Sequence, residues 1–129
     1  MDVNIALLTV TDTRTFDNDK SGSILVEKIK EAKHQLIDRK ICKDNKEEIA
    51  DKHIPGFGEV FRTISLKTVG TSSIQSRACA VLSNGKYIFA LPGSSGGVTD
   101  AWDSILKYQL DINHKPCNFV ELFPRLKEK

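Results

Sequence analysis

Apolar and polar positions along the chain fall into short blocks whose period changes several times. Asn4 to Val10 (NIALLTV) is a continuous apolar run rich in β-formers. That pattern predicts a strand buried on both faces, as in a parallel sheet. The polar stretch TDTRTFDNDKSG follows and predicts a loop. A helix is then predicted from about Ser21 to Ser23, either of which can cap it. Ile24, Leu25, Lys28, Ile29 and Ala32 line one face of it, with charges between. His34 to Cys42 alternates weakly through Leu36, Ile37 and Ile41 and predicts a second strand. The first forty residues therefore read as βαβ, the opening of an α/β sheet.

Asp44 with Glu47, three residues on, forms a capping box and predicts a short charged helix over DNKEEIADK. Ile54 to Gly58 (IPGFG) reads as its breaker. Helical character resumes at Glu59 to Ile64, with Val60, Phe61 and Ile64 on one side, and Ser72 and Ser73 open one more turn. The clearest local pattern spans about 77–91. The apolar runs ACAVL and YIFAL flank Asn84-Gly85, the turn chemistry of a β-hairpin. The second run leads into Pro92-Gly93-Ser94-Ser95-Gly96-Gly97. A helix is predicted beyond it, with Val98, Ala101, Trp102, Ile105 and Leu106 at helical spacing; Trp102 reads as core. No repeat or low-complexity linker divides the chain, so a single domain over 1–129 is expected.

Composition narrows the partners. Net charge is +2, too weak and too dispersed a bias for nucleic acid or an anionic membrane surface. No apolar run approaches the roughly 20 residues of a membrane span. The N-terminus does not read as a signal peptide. Cys42, Cys79 and Cys117 are widely spaced, with no CxxC and no metal-ligand spacing. They read as buried or partly buried thiols in a reducing compartment, and a cytoplasmic location is expected.

Candidate chemistry concentrates in two loops. A strand, a Gly/Ser-rich loop and a helix can present free N–H groups to an anion. PGSSGG at 92–97 fits either that role or a plain helix-capping turn, and it matches neither a Walker A loop nor GxGxxG. Asp12, Asp17 and Asp19 follow the first strand, where α/β sheets bind ligands. A solvated acidic loop has the same pattern. Asp44 follows the second strand and reads equally as a helix cap. No Ser/His/Asp or Cys/His arrangement can be assembled.

In combination, IALLTVTDTRTFDNDKSG, GFGEVFR, GTSSIQSRA, the IFALPGS strand-loop and the tail Pro-Cys-Asn-Phe are specific. The chain resembles the molybdenum cofactor biosynthesis protein B and molybdopterin adenylyltransferase family from about Asn4 to Asn118. The resemblance implies a three-layer α/β/α fold with a mostly parallel sheet. It implies a homo-oligomer, trimer or hexamer, acting with other molybdenum-cofactor biosynthesis proteins. Molybdopterin is the implied ligand, with Mg²⁺ and ATP for its adenylylation. Asp12, Ser21 and Gly22 match the pterin-side loop. Asp44 matches an acidic position at the metal and phosphate site, so a catalytic and metal-binding role is implied for it. Pro92, Gly93, Ser94 and Ser95 lie in the loop that lines the ligand pocket. Glu59 matches the glutamate of the GFGE turn, and Ser72, Ser73 and Arg77 match the polar stretch after it.

One departure is large. In the family the Asp44 helix continues into a central strand ending in a GGTG loop, with a second acid beyond. Here Ile49-Ala50-Asp51-Lys52 runs almost directly into Ile54-Pro55-Gly56-Phe57-Gly58, and GGTG does not occur. About 35–40 residues are missing on this comparison, enough for a strand and most of two helices. One central strand is thus expected to be absent, together with a set of phosphate-facing N–H donors.

Overall fold

The computed structural model describes residues 3–10, 15, 17–42 and 51–126. The chain divides into two compact units, Met1–Glu47 and Glu48–Lys129. The first is a βαβ unit, as its periodicity predicts. Strand β1 (Asn4–Val10) pairs in parallel with β2 (Gln35–Cys42), and helix α1 (Lys20–Glu31) connects them. Helix α1 buries Leu25 and Ile29, four residues apart and therefore on one face. The register slips between Ile5 and Ala6, which leaves Ile37 as the extra residue of a bulge.

The expectation that β1 is buried on both faces does not hold. Its residues alternate between exposed and half-buried, and Leu8 is 57 % exposed. The reason lies in its surroundings. β1 and β2 form a sheet of two strands, and α1 packs on both. A continuous apolar run records hydrophobicity but not the number of layers that cover it.

The second unit holds an antiparallel sheet in the order β3 (Lys52–His53), β4 (Cys79–Ser83), β5 (Lys86–Ala90). The β4–β5 hairpin turns at Asn84 and Gly85 with φ of 49° and 71°. That is the pair of positive angles a type I′ turn needs. Helix α2 (Pro55–Val69) begins where the sequence suggested a break. Pro55 occupies the first turn, where its missing N–H and fixed φ are no handicap. Most of the predicted 44–52 helix lies outside the described residues, but its last residue, Lys52, is in β3. The turn expected at Ser72 and Ser73 is a 3-10 segment, Gly70–Gln75.

Helix α3 (Ser95–Ala101) continues through a π turn at Trp102–Leu106 into α4 (Lys107–Gln109). Trp102 is 4 % exposed and packs in the core with Phe57, Phe61, Ala101 and Val120 also buried. Tyr87, Phe89 and Phe119 stack on one another at centroid distances of 4.8–6.1 Å. The Tyr87 hydroxyl donates to the Phe119 carbonyl, and burial pushes its phenol pKa up. Asn118, from the Pro-Cys-Asn-Phe tail, is buried and fully engaged. Its amide donates to the carbonyls of Ile112 and His114 and accepts from the Glu121 N–H. Cys79 and Cys117 are exposed free thiols, contrary to the expected burial; Cys79 opens β4 and Cys117 lies in the loop after α4.

Candidate functional site

In the first unit, chemistry gathers at the end of β1 and the start of α1. The N-cap is Asp19, not one of the serines. It is 1 % exposed. Its Oδ2 accepts a 2.6 Å hydrogen bond from the Thr9 hydroxyl and a 3.3 Å bond from Arg39 Nη2. Its Oδ1 accepts from the Gly22 N–H at 3.1 Å and from the Ser21 hydroxyl at 3.5 Å. Arg39 Nη2 also donates to the Ser23 hydroxyl. One carboxylate thus ties together β1, β2 and the first turn of α1. Burial pushes its pKa up, but the Thr9 hydroxyl, the Gly22 N–H and the Arg39 guanidinium outweigh that and hold it below its ordinary value. At neutral pH it is an anion that can only accept.

Gly22 is required by this arrangement. A Cβ there would collide with Asp19 Oδ2 and lie 2.7 Å from its Cγ. The Ser-Gly pair matched to a ligand loop therefore also serves the fold. Asp12, from the same loop, and Asp44 lie outside the described residues.

The other candidates stand in the second unit. Glu59 is exposed near the start of α2, while Ser72 (exposed) and Ser73 (buried) follow its far end. Ten residues of helix put them about 15 Å apart, so the structure does not bring Glu59 to the two serines. Gly58, beside Glu59, has a packing duty, since a Cβ there would lie 2.6 Å from the Ala78 carbonyl. Arg62, one turn on, donates to the carbonyls of Ser76 and Ala78. After β5, the stretch from half-buried Pro92 through exposed Gly93, Ser94 and Ser95 enters α3. Ser94 caps this helix, its Oγ accepting from the Gly97 N–H at 3.0 Å. The strand-loop-helix order expected from sequence is present. A hydroxyl that accepts in a cap keeps its own proton for a ligand acceptor.

Asp19 appeared in the sequence only as one of three loop acids. The signal that identifies it is an acid three residues before a glycine at a helix start, with a hydroxyl at the preceding strand end. Arg39 was missed, and its signal is a cation on the half-buried face of a strand. A further recess of about 500 Å³ is walled by Ile54, Phe57, Val60, Ile105, Tyr108 and Phe119; in the sequence, Ile54 and Phe57 read as part of a breaker and Val60 and Ile105 as apolar helix faces, with no sign of the recess. Among the described residues, no group of three His, Cys, Asp or Glu side chains is placed to hold a metal ion. Asp44, the acid matched to the metal site, lies outside these residues, and none of the roles given to the described side chains runs through Mg²⁺ or ATP. No helix among them is long and apolar enough to cross a membrane.

A βαβ unit with a clamped helix N-cap, followed by a hairpin, a Gly/Ser loop and a capped helix, defines an α/β protein with polar groups at its helix starts. The family described as a probable molybdopterin binding domain matches residues 47–112. Molybdenum cofactor biosynthesis protein B of Escherichia coli (strain K12) is 34 % identical over 161 aligned positions, covering 96 % of this chain and 93 % of the relative. The chain belongs to the molybdenum cofactor biosynthesis protein B family. A crystal structure of a molybdenum cofactor biosynthesis protein B superposes with a TM-score of 0.84 at 29 % identity, covering 100 % of this chain and 98 % of that one. A tungsten cofactor synthesizing protein from Pyrococcus furiosus shares the fold, with a TM-score of 0.74 at 20 % identity and 98 % coverage of both chains. The E. coli alignment has more positions than this chain's 129 residues, so the relative carries residues with no counterpart here.

Proposed function

We propose that this protein binds molybdopterin in molybdenum cofactor biosynthesis, and that it does so without the nucleotide half of the family reaction. The observation that carries this reading is selective retention. The Ser21-Gly22 pair in the capped first turn of α1 and the Pro92–Ser95 loop before the capped α3 are retained, while no GGTG loop occurs in the sequence. In this reading Ser94 and Ser95 serve acceptor groups of the ligand, and Ser21 serves its ring. Glu59, Ser72 and Ser73 are ligand residues by resemblance, as is Asp12; Asp44 keeps its resemblance to a metal-site acid. A homo-oligomer, trimer or hexamer, fits the exposed Val60, Leu66, Val69 and Ile74 of the second unit, since side chains of this size seek cover.

The test is molybdopterin binding to the purified chain, with and without Mg-ATP. Saturable binding that Mg-ATP leaves unchanged is the expected result. Formation of adenylylated pterin would overturn the nucleotide-free reading, and absence of any binding would leave a scaffold built on the family fold.

A further inference from the structure

Helix α2 buries one side and leaves a patterned side outside. Phe57, Gly58, Phe61 and Ser65 are buried. Gly56, Glu59, Val60, Thr63, Leu66 and Lys67 are exposed, and at roughly 100° per residue they fall within an arc of about 120°. Val60 and Leu66 are 50 % and 52 % exposed, large for apolar side chains on an ordered helix. The order of these residues is a palindrome of chemistry about Thr63. Val60 and Leu66 stand three positions to either side, Glu59 and Lys67 four, Gly56 and Gly70 seven. Apolar thus mirrors apolar, acid mirrors base and glycine mirrors glycine.

The charges of this face have no use within one chain. Glu59 and Lys67 lie about 12 Å apart along the helix axis, and no ion pair joins either to another described residue. At the centre, Thr63 Oγ1 donates to the Glu59 carbonyl of its own helix at 2.9 Å, so its proton is already placed. At both ends, nothing lies within 4 Å of where a Cβ would stand on Gly56 or Gly70, which leaves room for another backbone to come close.

We infer that this face is the interface with a second copy of the chain, two α2 helices packing antiparallel across a two-fold axis at Thr63. Val60 of each copy then meets the partner's Leu66, and Glu59 meets the partner's Lys67, so every contact occurs twice. Parallel packing in register would set acid against acid and base against base, and charge therefore selects the antiparallel pair. Glu59 has two carboxylate oxygens, and one of them stays available to a ligand. The inference rests on the homo-oligomer reading and adds to it a surface and a symmetry. One helix face is small beside a permanent interface, so the association is expected to depend on concentration.

Analytical ultracentrifugation of the full chain over a concentration series tests this. The unmodified protein is expected to form a species of even copy number. Leu66→Asp should abolish the two-fold association, because a carboxylate would be buried against the partner's Val60. Lys67→Glu and Glu59→Lys should each weaken it by about tenfold, since each sets two like-charge pairs across the axis. Mixing the Lys67→Glu chain with the Glu59→Lys chain should restore it as a mixed pair, in which both 59–67 contacts are again acid to base. Restoration also shows that both variants are folded. Circular dichroism gives the same assurance for Leu66→Asp. An odd copy number as the largest species, an oligomer that the variants leave unchanged, or a mixture that associates no better than its parts would overturn the α2 interface while leaving the homo-oligomer standing. A monomer at every concentration would overturn both.

Discussion

At the scale of single residues, Asp19 governs more of the first unit than any other side chain described. Its pKa is held below the ordinary 3.8, so the unfolded chain takes up its proton first as pH falls. The stability it contributes is complete at neutral pH and is lost as pH drops below about 3.8 toward its folded value. Asp19→Asn keeps a capping oxygen but removes the charge facing Arg39. It should cost about 1–3 kcal/mol at pH 7, and the deficit should shrink as pH is lowered through that window. Urea denaturation from pH 7 to 3 measures this, and a deficit independent of pH would rule out the charge as its source. Little of this was legible in the sequence. Asp19 takes its role from partners ten and twenty positions away, Thr9 and Arg39, which no local pattern reveals.

At the scale of elements, legibility followed the range of the forces involved. The hairpin was readable because Asn84-Gly85 encodes its own backbone angles. Helix starts were displaced because the cap at Asp19 and the first-turn Pro55 act through geometry that composition leaves ambiguous. Helix α2 shows the difference within one motif, since its two early glycines look alike in sequence. A Cβ at Gly58 would press on the Ala78 carbonyl, whereas at Gly56 nothing lies within 4 Å. Gly58→Ala should destabilise by about 1–3 kcal/mol, the range for overpacking. Gly56→Ala should be neutral or stabilising by up to about 1 kcal/mol, the helix-propensity difference. Thermal melts of the two variants decide it, and equal melting temperatures would mean that α2 yields at Gly58. The GFGE turn thus owes its second glycine to packing, while Glu59 beside it remains exposed and available to the proposed ligand.

At the scale of the whole molecule, the α/β class was legible in the sequence, and the structural likenesses agree with it. Not legible was the distribution of strands into a parallel pair in one unit and an antiparallel trio in the other. Strand partners are chosen by tertiary packing, and the apolar run of β1 is compatible with one neighbour or two. The type I′ turn has a last consequence, in time. It joins β4 and β5 through two residues, so this hairpin can close within about 1–10 μs of the start of folding. The β1–β2 pair must bring Asn4 to Gln35 across a connection that contains a helix, a slower event. The hairpin is therefore expected to be formed in the transition state of its unit. Val81→Ala should slow refolding nearly in proportion to the stability it removes, while Ile105→Val, buried in the same unit but outside the hairpin, should chiefly hasten unfolding. Stopped-flow rates that show the reverse would place the nucleus elsewhere. If the expectation holds, two residues at a surface turn set the pace at which the aromatic core above them assembles.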